Sequence, residues 1–101
     1  MIVERLVFTA KFGQGDTVVT AFKEWQERFN ARFGLSSRLM VDVTGPMFTV
    51  VLETQYRDMA HVAEVGARER AFFAEPEFQQ WFARWSNAVE QGARELYEVV
   101  A

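Results

Sequence analysis

The sequence predicts an α+β fold in the order β, α, β, β, α, β, a four-stranded antiparallel sheet carrying its helices on one face. Three observations predict it. A β-branched and aromatic run opens the chain and stops at Gly13-Gln14-Gly15. Two strand-like segments flank Gly45-Pro46 in the middle. A broad apolar stripe at helical spacing follows the first strand, and another precedes the last.

The first strand runs from Ile2 to Lys11, with Ile2, Leu6, Phe8 and Ala10 on one face and Val3, Arg5, Val7, Thr9 and Lys11 on the other. Asp16 is placed to cap the helix that follows. In that helix Val18, Phe22, Trp25, Phe29 and Phe33 recur at steps of three or four, and Gly34 suits its end. Strands follow at roughly Ser37–Thr44 and Met47–Tyr56. With Thr44 opposite Met47, Leu39, Val41 and Val43 stand against Leu52, Val50 and Phe48, while Arg38, Met40 and Asp42 meet Glu53, Val51 and Thr49. A shift of one residue would mix the two faces, so the hairpin is consistent with itself. Gly-Pro is not a favoured two-residue turn, and a longer or bulged loop stays open. A helix over about Asp58 to Phe73 has Met59, Val62, Ala63, Gly66 and Phe73 on one side. Another starts at Pro76, a good first helical residue, and carries Phe78, Trp81, Phe82, Trp85 and Val89. Gly92 suits its end, and Arg94–Ala101 reads as the last strand.

Composition narrows the class. The 101 residues fit a single domain over 1–101, and half of them are hydrophobic, which excludes disorder. A net charge of −3 with interspersed signs gives no basic stripe for nucleic acid or an anionic membrane. Without cysteine there is no disulfide, thiol catalysis or zinc–thiolate site, and the single histidine, His61, makes no metal site alone. No metal and no cofactor is expected. Charges inside the opening MIVERLVFTAKF run separate it from a signal peptide, so the expected compartment is the cytoplasm.

This element order is the ferredoxin-like split βαβ. Leu6, Phe8, Leu39, Val41, Val43, Phe48, Val50 and Leu52 would face the helices. The other face shows Val3, Val7, Met40, Met47 and Val51 beside Arg5, Thr9, Arg38, Asp42, Thr49 and Glu53. It is too apolar for a solvated face and too charged for a core. Burying about 300–500 Å² of it per subunit is worth on the order of 10 kcal/mol before association costs, so a homodimer is expected.

The opening IVERLVFTAKFGQGD and the FFAEPEFQQWF that joins the last two helices resemble the dimeric α/β-barrel superfamily, in its NIPSNAP-like branch. The resemblance implies two sheets packed face to face into a barrel with a pocket beside or within it. It also implies one of several activities: cofactor-independent monooxygenase, haem degradation, lactone isomerisation, or none known. The chain departs from the haem-degrading pattern, since His61 opens its helix and the first strand has no asparagine. Open-face aromatics for RNA bases and an arginine loop for acyl phosphates are absent too.

The candidate ligand-binding set is Arg5, Thr9, Arg38, Asp42, Thr49 and Glu53. Arg38–Glu53 would orient a polar ligand and Arg5 would hold an oxyanion, or the same residues form ion pairs that fix a dimer's register. Met40, Trp81 and Trp85 form a candidate pocket wall for a flat ligand, the tryptophans being equally suited to a core face. His61, with Arg57, Glu64 and Arg68 as helical neighbours, reads as a general base or metal ligand, or as a solvated surface histidine. The Gly13-x-Gly15 element reads as a plain turn. Two functions remain: a homodimeric small-molecule-binding barrel, as a cofactor-independent monooxygenase or isomerase on an apolar carbonyl or aromatic compound, and a non-catalytic dimerisation or ligand-sensing module.

Overall fold

The computed structural model describes residues 1–101. Strand β1 (Ile2–Ala10) leads to helices α1 (Gly15–Arg28) and α2 (Asn30–Phe33), then to strands β2 (Ser36–Val41) and β3 (Thr49–Tyr56). Helices α3 (Met59–Phe72) and α4 (Pro76–Trp85) and a short 3₁₀ turn precede strand β4 (Val89–Glu98). The sheet order is β2-β3-β1-β4 with every pair antiparallel, so β1 and β3 are central and β2 and β4 are edges. No helix is long and apolar enough to cross a membrane.

The hairpin register is the expected one: Arg38 pairs with Glu53, Leu39 with Leu52, Met40 with Val51 and Val41 with Val50. The strands part at Asp42, so the connection is longer than Gly45-Pro46. Asp42 closes it by accepting from the Thr49 N–H at 2.9 Å, and the Thr49 hydroxyl donates to the Pro46 carbonyl. Val41 and Val43, expected against the helices, are exposed: Val41 is the last residue of an edge strand, and Val43 lies beyond it in the connection. Phe48 takes a left-handed φ of 61°, which re-aims the chain into β3 while its carbonyl accepts from Ala10 N–H.

Alternation puts Ile2, Glu4, Leu6, Phe8 and Ala10 of β1 on the helix side, with Val50, Leu52, Thr54 and Tyr56 of β3. The core joins these to Val18, Phe22, Trp25, Phe29 and Phe33, as the spacing predicts. The first helical stretch is not continuous: the backbone breaks at Phe29, and Gly34 ends α2 in the left-handed conformation. Asp16 does not cap α1. Gln14 occupies that position with no side-chain bond, and Asp16 lies in the first turn, where its charge suits the helix dipole.

Three further expectations change. The buried side of α3 is His61, Val62, Val65 and Phe72, while Met59 and Phe73 are largely exposed. The last strand starts at Val89, so Gly92 lies within a strand instead of ending a helix, close against the Phe8 ring. His61 is buried, not solvated. Its Nδ1 accepts from Arg57 N–H, its own N–H donates to the Asp58 carboxylate that caps α3, and its ring meets Tyr56 edge-on.

Candidate functional site

The sequence-predicted polar set divides into two places on the open side of the sheet. Glu53 on β3 lies between arginines of both neighbouring strands. Arg5 Nε donates to one carboxylate oxygen at 3.0 Å, and Arg38 donates to the other through Nη2 at 2.6 Å and Nε at 3.0 Å. These bonds hold the Glu53 carboxyl below the usual carboxylate range, Arg38 contributing most. No second layer covers the cluster. The Glu53 side chain is buried beside the two guanidinium groups, whose own side chains are well exposed. Thr9 pairs with Thr49 four residues along the strands, about 13 Å away at a strand's rise per residue. There Asp42 and Thr49 are engaged in closing the hairpin. The open face therefore brings Arg5, Arg38 and Glu53 together and leaves Thr9, Asp42 and Thr49 apart from them.

Met40 and the two tryptophans do not share a wall. Met40 stands on the open face beside Val51, whereas Trp81 and Trp85 project from α4 onto the other side of the sheet. On that side lies a cavity of about 150 Å³. Its floor is polarised by strand register: Glu4 pairs with Thr54 at one end, with Tyr56 beyond, and Leu6 with Leu52 and then Phe8 follow toward the other. Helix α1 contributes Phe22 and Trp25, α3 contributes Glu69 with Phe73 just past its end, and α4 adds Phe78 to its tryptophans. The rings lock one another. Trp81 lies 4.9 Å from Trp25 and 5.3 Å from Trp85 between centroids, and its indole N–H donates to the Ala21 carbonyl at 2.7 Å. The Trp85 indole N–H is buried with no acceptor.

Two carboxyls line this apolar space. Glu4 accepts from Arg94 Nε on β4 at 2.6 Å. Glu69 forms no salt bridge and no side-chain hydrogen bond. Burial first, and the Glu4 charge second, push its acid up to about 7, with Arg94 opposing. Burial and the same two carboxylates raise the Tyr56 hydroxyl as well, so it stays a donor at neutral pH. Glu4, Tyr56 and Glu69 escaped the sequence reading. A charge at an inward position of β1 was the available signal, since an alternating strand with a polar residue on its core face needs a partner there. No group of three or more histidine, aspartate or glutamate side chains is placed to hold a metal ion.

No protein-family model matches the chain, and no curated protein matches its sequence. Solved structures do. A NIPSNAP family protein of unknown function from Agrobacterium tumefaciens superposes with a TM-score of 0.79 at 18% identity, over 96% of this chain and 86% of that one. An uncharacterized NIPSNAP domain protein from Burkholderia xenovorans gives 0.75 at 22% identity, over 100% and 96%. The chain has the NIPSNAP-type ferredoxin-like fold. An antibiotic biosynthesis monooxygenase shares the same ferredoxin-like fold, with a TM-score of 0.69 at 19% identity over 100% of both chains. At such identities the likeness fixes the fold and leaves function to the residues.

Proposed function

We propose that this chain is a small-molecule-binding domain whose ligand enters the cavity between sheet and helices, and that two copies associate through their open sheet faces. The observation that carries the first part is the cavity itself. A space of about 150 Å³, walled by rings from α1, α3 and α4, is not closed by collapse of its own side chains. Apolar voids of roughly this size hold a single aromatic ring. Support for the second part is the open face, where Val3, Val7, Met40 and Val51 surround the Arg5–Glu53–Arg38 cluster without a covering layer.

Toluene tests the cavity. Added to the native chain, it is expected to raise the melting temperature and shift the emission of Trp25, Trp81 and Trp85. Leu6→Phe, which fills the floor, is expected to remove both effects. An unchanged native chain, or an equal response in L6F, overturns the reading.

Glu69 favours a second, catalytic reading. A cofactor-independent isomerase or monooxygenase must take a proton from an apolar carbonyl or aromatic compound. A buried acid that titrates near neutrality is suited to that step. With molecular oxygen as the co-reactant, a deprotonated CH2 would gain one oxygen atom to become a carbonyl while the other left as water; without it, returning the proton at another carbon would isomerise the substrate.

A further inference from the structure

The geometry points to a small primary amine on a flat apolar body as the cavity's ligand, its ammonium seated between Glu69 and the rings beside it. This rests on reading the cavity as a ligand site and, going beyond it, names the chemistry of the head group. Glu4 and Glu69 both line the space, but Glu4 is already joined to Arg94 at 2.6 Å. One half-buried carboxyl therefore remains without a counter-charge in a largely apolar pocket, an arrangement that a bound cation would complete. No residue of this chain completes it. An anionic head would meet two carboxylates. A neutral head would leave the ionised form of Glu69 uncompensated. An ammonium supplies the missing charge and three donors.

The surroundings suit such a cation in a second way. Tyr56, Phe73, Phe78 and Trp81 line the same space, and ring faces attract an ammonium that has left water. The apolar end, at Leu6, Leu52 and Phe8, then receives the hydrocarbon part. The charged and titratable groups facing the ammonium are few. They are Glu4 on β1, Tyr56 on β3 with His61 against its ring, Glu69 on α3 and Arg94 on β4. Protonation removes the Glu69 charge, so amine affinity falls as the pH drops below about 7.

Benzylamine and toluene, titrated separately into the full-length chain and followed by tryptophan emission and calorimetry, test this. At pH 8 benzylamine is expected to bind at least about tenfold more tightly than toluene, the margin of a desolvated charge pair over an apolar contact. Glu69→Gln is expected to remove that margin, with folding verified by its melting curve. At pH 5.5 the native chain is expected to behave like the variant. If toluene binds and benzylamine binds no better, or if E69Q keeps the margin, the amine is wrong and the cavity stands. If neither compound binds, both readings fall.

Discussion

Glu53 is paired with two arginines and Glu69 with none, and their surroundings drive them in opposite directions. Folding keeps Glu69 protonated to about pH 7, whereas the unfolded chain releases that proton near 4.5. The native state thus holds the extra proton across this window. The stability it brings is full below pH 4.5, falls as the pH rises, and is gone above about pH 7. E69Q, neutral throughout, is expected to melt above the native chain at pH 8, by on the order of 2 kcal/mol after allowance for partial exposure, and level with it at pH 4. Parallel melting of the two at both pH values would show that Glu69 is not held as a buried acid. For Glu53 the sign reverses. The two guanidiniums stabilise its ionised form, so its contribution is present above the ordinary carboxylate range and lost as the pH falls through its lowered folded value.

Among the elements, β4 was the least legible. Its sequence VEQGARELYE has no clean alternation, because as an edge strand it is exposed along both faces. Gly92 looked like a helix end for the same reason, and only the pairing with Phe8 assigns it to the strand. That pairing is tight. A Cβ at Gly92 would lie 3.0 Å from two Phe8 ring atoms, and that ring is fixed by Phe22 at 5.2 Å and Trp85 at 5.3 Å. Gly92→Ala is expected to cost about 1–2 kcal/mol, read as a lower urea midpoint at unchanged slope. No loss would mean that the ring yields freely. The β2–β3 register, by contrast, was legible, because two short alternating runs agree in one alignment alone. The cavity was not. Its two carboxyls come from β1 and α3, and Arg94 meets Glu4 from ninety residues away, a distance no local pattern spans.

At the scale of the whole molecule, helices cover one side of the sheet and nothing covers the other. Sedimentation at micromolar concentration is expected to find a dimer. Met40→Glu, which sets a charge among Val51 and the Arg5–Glu53–Arg38 cluster, is expected to shift it to monomer without lowering the helix content. A native chain that sediments as a monomer would remove the dimer and the role given to that face, while the cavity on the far side would be untouched. The fold class was legible because the periods of two and 3.6 alternate along the chain. Which side of the sheet holds the enclosed space depended on how the rings of three helices meet, and composition carries no record of that.

The outer margin of β4 has a consequence of its own. Along its ten residues the amides and carbonyls that turn away from β1 have no strand to pair with, and such a border is a template on which any extended chain can grow, including another copy of this one. Three of the four charged side chains on β4, Glu90, Glu95 and Glu98, are acidic, and the fourth, Arg94, is engaged with Glu4, so copies approaching margin to margin repel. The same strand that leaves its pattern hard to read thereby keeps the sheet finite.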